Sequence, residues 1–339
     1  MLHKYCRLVV ACTILLILAG SFVTSTDSGL SVPDWPTTYG WNMFTFPLSK
    51  MVGGVFYEHG HRLIASAVGV LTIGLAVWLW IADERRWMRW LGVAALGAIV
   101  AQGVLGGLTV LFFLPPAVST AHAGLAEIFF CITVAIAVFT SPSWRAEANP
   151  VDDPVLRRVA TATTVVIYAQ ILVGAVMRHT GAGLAIPDFP WMFGRVVPDH
   201  WSAKIAVHFA HRAGAAIVVL SVIATASYIW RQHTHRVELA NPALKLMILV
   251  AFQVTLGALT VLSQRQVWIN SLHVVCGALV LTTSLVITLR AWQLRIVDLG
   301  LRIADSRNPQ SIRIPQSALR QAQGVLRPSK DAIRSTGRA

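Results

Sequence analysis

Four histidines stand at matching positions in the two halves of this 339-residue chain. His61 and His211 are 150 residues apart, and His122 and His273 are 151 residues apart, each in the first turns of an apolar stretch. At about 1.5 Å of rise per helical residue, His61 lies about 8 Å inside its stretch, and the other three lie at similar depths. Ionisable side chains are rare inside membrane spans and usually mark a functional site.

The pairing of these histidines indicates what they bind. Neutral imidazole is a good metal ligand, and two imidazoles on facing helices can clamp a haem iron from both sides. A zinc site would need four ligands close together in a tetrahedron. Two pairs separated by a repeat therefore predict two haem sites, with His61 and His122 in the first half and His211 and His273 in the second.

The composition places these sites in a membrane. The chain is 55% apolar and only 13% charged, whereas soluble domains carry about 25% charged residues. Crossing the bilayer takes about 20 apolar residues, and eight candidate spans are present, near 7–26, 57–81, 91–113, 118–140, 158–178, 204–229, 243–262 and 270–293.

The net charge of +13 lies mostly in alternate loops, which argues against nucleic-acid binding and, by the positive-inside rule, predicts cytoplasmic N and C termini.

The repeat extends well beyond the histidines. Residues 20–40 align with 174–194, and residues 102–111 with 253–262. Both halves begin on the same side, so the repeats are parallel and related by a pseudo-twofold axis along the membrane normal. We predict an all-α polytopic membrane protein of eight transmembrane helices in two pseudo-symmetric four-helix bundles, residues 1–140 and 158–295. A cytoplasmic linker covers 141–157, and a basic, disordered tail covers 296–339.

The start of the chain bears on its location. Apolar sequence begins by residue 8 after a short basic segment, which is typical of a retained first span. No Arg- and Ser-rich transit segment precedes it, so we expect a bacterial inner membrane protein.

Residues next to the histidines have their own predicted roles. Arg62 and Arg212 directly follow two of the histidines, and a guanidinium there suits a haem propionate. Glu58 shares a helix face with His61, but its repeat partner is His208. Because the two halves differ there, we predict that the first half hosts the reaction. Glu58 would then be a proton donor or acceptor, or a weak ligand, and the second half would hold a permanent haem.

Other polar and small residues receive simpler interpretations. Asp34 and Asp188, in Pro-Asp-aromatic-Pro segments, are expected to form turns. The Gly106–Gly107 and Gly257–Ala258 patches are expected to allow close helix or porphyrin approach. The cysteines lie within or beside spans and are interpreted as core residues. The remaining histidines are interpreted as surface residues: His3, His59, His179, His200, His233 and His235.

These residues together resemble the haem A synthase family. The likeness rests on Glu58-x-x-His61-Arg62, on the Gly29–Pro36 loop (GLSVPDWP) and its second copy at Gly183–Pro190, and on the other three histidines. It covers about residues 5–295. Some members carry a cysteine pair in the first outer loop, which this chain lacks, so any thiol-linked redox step of those relatives is not expected here.

The resemblance implies a function and a division of labour. It implies oxidation of the C8 methyl of haem O to a formyl group by successive hydroxylations, giving haem A for terminal oxidases. His211 and His273 would ligate a haem b in the C-terminal bundle, while His61, His122 and Glu58 would form the site for haem O or haem A as substrate or product. Membrane lipid surrounds the protein. The electron donor is not identified, and direct transfer from a haem O synthase and a homo-oligomer are left open.

Two other classes explain part of the pattern. A diheme b-type cytochrome linked to quinone accounts for four histidines, but not for Glu58 opposite His208, nor for four histidines near one membrane face. A haem transporter or chaperone would bind haem without altering it and gives Glu58 no clear task. The prenyltransferase that makes haem O fits poorly, because the chain shows no Asp-rich loop for magnesium diphosphate.

Overall fold

All eight predicted spans form α-helices in the computed structural model, which describes residues 1–145 and 151–297. Lipid offers no hydrogen-bond partners, so a segment that crosses it satisfies its main-chain groups within a helix. The helices are α1 (Leu2–Ser25), α2 (Gly54–Ala82), α3 (Arg86–Leu111), α4 (Pro116–Phe139), the short α5 (Pro142–Arg145), α6 (Pro154–His179), α7 (Ala203–Gln232), α8 (Val237–Leu262) and α9 (Val267–Ala291). All but α5 are long and apolar enough to cross a membrane, which confirms the all-helical multi-pass fold.

Several helices begin earlier than hydropathy predicted. Helix α6 begins at Pro154 because the Asp153 side chain accepts hydrogen bonds from the Val155 and Leu156 N–H groups (2.8 and 3.0 Å), and proline suits a first helical position. Helix α8 begins at Val237 and continues through Pro242, which the apolar pattern had placed before the span. The C-terminal ends of the spans agree with prediction to within three residues.

Helix contacts follow the internal repeat. Helix α1 contacts α2 and α4, while α3 contacts α2 and α4; in the second half, α6 contacts α7 and α9, while α8 contacts α7 and α9. Between the halves, the α1–α9 contact corresponds by the repeat to α4–α6, and α4 also meets α9. The contacts repeat between the two halves, and the division into two bundles stays a prediction. Helices α4 and α9 are the most buried spans, since 44% of the residues in the most apolar part of each are buried.

A buried polar cluster ties the halves together near the ends of α1 and α6. Arg178 Nη2 donates to the Ser21 carbonyl oxygen (3.0 Å) and to Ser25 Oγ (2.9 Å). Asn270 and Ser271 of α9 also donate to Ser25 Oγ, each at 3.0 Å. Buried polar groups need such partners, so this cluster fixes how α1, α6 and α9 meet.

Residues 1–293 form one compact unit, and a second unit begins at Leu294. Part of the predicted linker and nearly all of the predicted tail lie outside the described residues. The domain boundaries and the side of the membrane that the termini face stay predictions.

Candidate functional site

The four repeat-related histidines lie in the first three turns of α2, α4, α7 and α9. The His211 and His273 ring centroids are 6.5 Å apart, with 74° between the ring planes. A ring nitrogen binds a metal at about 2.0–2.1 Å and lies about 1.2 Å from its ring centroid, so two axial imidazoles on one iron place their centroids about 6.4–6.6 Å apart. The second-half pair therefore fits a bis-histidine haem.

The first-half pair is similarly disposed. His61 and His122 lie close enough to interact electrostatically. The Nδ1 atoms of His61, His122 and His273 are buried and have no hydrogen-bond partner. Burying a polar atom without a partner is costly, so these rings are kept in place at a cost in free energy. Within residues 1–145 and 151–297, no group of three or more His, Cys, Asp or Glu side chains is arranged to hold a metal. An iron here would therefore be held by pairs.

Each histidine ring lies directly against a glycine of the preceding helix. A Cβ added to the glycine would lie 2.9–3.2 Å from the Cε1 atom of the facing ring. Carbon contacts are optimal at about 3.5–4.0 Å, so any larger side chain would displace the imidazole. The four glycine–histidine pairs are Gly20–His61, Gly106–His122, Gly174–His211 and Gly257–His273.

Asp34 and Asp188 organise two equivalent turns in the loops that follow α1 and α6, as predicted. Asp34 accepts hydrogen bonds from the Tyr39 and Gly40 N–H groups (2.7 and 2.9 Å). Asp188 accepts them from Phe193 and Gly194, both at 2.8 Å. The turn residues have positive φ in both loops, a conformation that favours glycine. The hydrogen bonds from the Gly194 and Phe193 N–H groups also hold the pKa of Asp188 below its usual value.

Arg62 and Arg212 clamp these loops to the helices that carry the histidines. Arg62 donates to the carbonyls of Val32, Asp34 and Thr37 at 2.8–3.0 Å. Arg212 donates to the carbonyls at the equivalent loop positions, also at 2.8–3.0 Å: Ile186, Asp188 and Trp191. Both arginines therefore hold the loop above their own histidine, a contact that the sequence did not reveal.

Glu58 and His208 occupy the same place in these two networks. Glu58, which is 3% exposed, accepts hydrogen bonds from the Val32 N–H (2.8 Å) and from Arg62 (2.7 Å). His208 lies 3.2 Å from the Ile186 nitrogen and 3.1 Å from Arg212 Nε. A neutral imidazole has only one acceptor nitrogen, whereas a carboxylate accepts both bonds. The first-half network is therefore the stronger one.

A further difference between the halves lies above α3 and α8. The Trp35 indole packs on Gly107, where a Cβ would come within 2.5 Å of the ring. The equivalent positions are Phe189 and Ala258, a smaller ring facing a larger residue. Gly107 therefore makes room for the loop tryptophan, and its neighbour Gly106 for a histidine.

The interpretation of His59 as a surface residue was wrong. Its side chain is 1% exposed, lies 3.0 Å from Thr38 Oγ1 and packs against Phe46. Hydropathy missed it because the loop that covers it has no regular pattern. His233 is also partly covered, with its Nε2 2.8 Å from Asp153 Oδ2.

The structure adds one carboxylate that the sequence analysis did not single out. Glu127 of α4 is 5% exposed, and its Oε2 has no hydrogen-bond partner. An ionisable residue within a span is by itself a sign of function, and it could have been found on that ground.

Eight apolar helices that carry two repeat-related pairs of half-buried histidines define a multi-pass helical membrane protein. Residues 3–285 match the family model of the cytochrome oxidase assembly proteins (COX15-CtaA), and the chain belongs to that family.

Its relatives are bacterial proteins named Heme A synthase. The chain is 28% identical to the one of Halalkalibacterium halodurans over 281 residues, 80% of this chain and 90% of that protein. It is 30% identical to the one of Symbiobacterium thermophilum over 275 residues, 78% of this chain and 86% of that protein.

Proposed function

We propose that this protein is a haem A synthase, an oxidoreductase that converts the C8 methyl of haem O to a formyl group by successive hydroxylations. The relatives' names support the activity, and the His211–His273 separation of 6.5 Å supports a bis-histidine haem. The diheme cytochrome and the haem transporter receive no support from those names.

His211 and His273 hold the resident haem b in this proposal. Held by these two histidines, the haem would supply electron transfer and not oxygen binding. The two imidazoles fix its position, and Gly174 and Gly257 let the rings approach their helices. The electron donor is left open.

His61 and His122 bind and orient the substrate porphyrin of haem O. Glu58 acts beside them as the proton donor or acceptor, and it also holds Arg62 and the outer loop in place. A carboxylate stands at this place only in the first half, where the second half has His208, and this difference supports assigning the reaction to the first half.

Arg62 and Arg212 are proposed to reach the haem propionates as well. Each guanidinium already makes four of the hydrogen bonds that its five N–H groups allow. A propionate contact would therefore use the remaining N–H, while the loop carbonyls keep the guanidinium in place.

Pigment analysis tests the proposal. Protein purified from a host that makes haem O should contain haem b together with haem O or haem A. Two equivalents of haem b alone would instead identify an electron-transfer cytochrome, and unaltered haem O in every preparation would identify a transporter.

Paired histidine variants test the division of labour. His211→Ala and His273→Ala should lose haem b. His61→Ala and His122→Ala should keep haem b and lose conversion. If both pairs lost the same pigment, the assignment of different roles to the two halves would be wrong.

A further inference from the structure

Each of the four glycines that face a histidine is preceded, one helical turn earlier, by a residue that the repeat allows us to compare between the halves. It is glutamine in three cases and leucine in the fourth: Leu16 before Gly20, Gln102 before Gly106, Gln170 before Gly174 and Gln253 before Gly257. Gln102 and Gln253 are the same in both halves. The difference is therefore confined to Leu16 and Gln170, beside His61 and His211.

Gln170 holds His211 at two points. Its Nε2 donates to the His211 carbonyl oxygen (2.7 Å) and lies 3.0 Å from the ring Nδ1. Contact at Nδ1 leaves Nε2 for iron. An imidazole that binds iron through Nε2 keeps its proton on Nδ1, so the Gln170 amide would then turn to accept that hydrogen bond at Oε1 in place of its bond to the His211 carbonyl.

The helix opposite makes room for this glutamine. A Cβ added to Gly214 of α7 would overlap Gln170 Oε1. In the first half, the position equivalent to Gly214 is Ile64, and the position equivalent to Gln170 is Leu16. Both positions therefore differ between the halves. The second half has an amide with space for it, and the first half has two apolar side chains.

His61 has no comparable support. No side chain pairs with its buried Nδ1, and the side chain of leucine offers neither donor nor acceptor, so the ring relies on the Leu16 main chain. Partners of the second ring nitrogen orient a metal-bound histidine and raise its affinity, and their loss typically costs about 10- to 100-fold in metal affinity.

We propose that Gln170 is a positioning residue that makes His211 a fixed haem ligand, and that Leu16 leaves His61 as an exchangeable one. This inference rests on the proposed function, in which one haem stays and the other enters and leaves. The ligands are histidine in both halves, and the residue behind one of them decides how long the haem is held.

Haem release from the purified holoprotein tests Gln170. Transfer of haem b to excess apomyoglobin should be about 10- to 100-fold faster from Gln170→Leu than from wild type. The midpoint potential of haem b and its low-spin electron paramagnetic resonance signal should shift as well, which a purely structural role would not cause. Gly214→Ala, which displaces the amide without removing it, should act in the same direction.

Gln102→Leu is the matched control. Gln102 has the same residue type and register, but its side-chain Oε1 has no hydrogen-bond partner. It should release haem b at the wild-type rate. If Gln170→Leu and Gly214→Ala also release haem b at that rate, with unchanged potential and resonance signal, the inference is overturned.

The reciprocal change tests the first half. Leu16→Gln with Ile64→Gly should retain more haem O or haem A through purification and slow its transfer to apomyoglobin. Unchanged retention would overturn the role of Leu16. The proposed function fails on different evidence, since it requires that His211→Ala lose haem b and His61→Ala keep it, whatever the glutamine variants do.

Discussion

Gly174→Ala should weaken haem b binding although residue 174 contributes no side chain to the site. In wild type the glycine lies beside the His211 ring, and an added Cβ would be 2.9 Å from Cε1 and 3.2 Å from Nδ1. Alanine is otherwise the better helix former. The variant therefore has two opposite effects: it stabilises the helix locally, and it creates a clash with the proposed iron ligand His211.

The size of the effect follows from these distances. Carbon contacts relax to about 3.5 Å or more, so the ring must retreat by about 0.6 Å. Metal–ligand distances tolerate only about 0.2 Å, so the ring cannot retreat and keep its bond unchanged. Overpacking costs about 1–3 kcal/mol, while replacing a mid-helix glycine recovers about 0.5–1 kcal/mol. We expect a small net loss of protein stability and a larger loss of haem b.

Haem b per polypeptide, measured by the pyridine haemochrome spectrum, is the main assay, with thermal unfolding of the same samples beside it. Gly103→Ala is the control, since nothing lies within 4 Å of the Cβ that it adds. The control should keep full haem b and unfold at the same or a slightly higher temperature. If Gly174→Ala retains wild-type haem b content and spectrum, the glycine does not set the ligand position and the reasoning fails.

Four further predictions concern other polar residues of the protein. Glu58→Gln should keep haem b and lose most conversion of haem O, measured by pigment chromatography; full turnover with intact haem would rule out proton transfer by Glu58. Arg62→Lys should expose the loop after α1 to limited proteolysis, because the three donors of lysine cannot replace the four hydrogen bonds of the planar guanidinium, and an unchanged digestion pattern would contradict the clamp. Glu127→Met should raise the unfolding temperature, because Oε2 has no partner; a lower temperature would reveal a missing partner. For Asp153, burial raises the pKa, but hydrogen bonds from Leu156, His233 and Tyr228 lower it to about 2. Its stabilising contribution is complete above the unfolded pKa of about 3.9 and is lost as pH falls through about 2, so Asp153→Asn should flatten the stability profile between those values.

The number and position of the helices could be predicted because hydropathy reports them directly. The helix boundaries were harder to predict, because they depend on capping residues and prolines that a hydropathy pattern does not report. Asp153 and Pro154 form a readable start signal for α6, four residues before the predicted span. The predicted span began at residue 243, yet α8 begins at Val237 and runs through Pro242. A single proline is a weak stop signal when apolar residues follow it.

The histidines could be predicted because ionisable residues in spans stand out and the repeat supplied their partners. Their supporting residues could not. The acceptors of Arg62 are main-chain carbonyls, which have no signature in a sequence. Gly174 and Gln170 look like ordinary span residues until the fold brings them against His211. The sequence indicated them only through the repeat, because Gly20 and Gly174 stand at equivalent positions in the two halves.

Duplication supplies a symmetric scaffold, and the function proposed here needs an asymmetric one. The residues that would touch iron are histidine in both halves, so ligand type cannot make one haem resident and the other a substrate. The asymmetry must then come from what surrounds the ligands, and the structure shows the substitutions clustered there. Each pairs a first-half residue with a different second-half residue at the same place: Glu58 with His208, Leu16 with Gln170, Ile64 with Gly214, Trp35 with Phe189, and Gly107 with Ala258. The first pair changes acid–base capacity, the next two change how firmly a ligand is held, and the last two change how the loop covers the site.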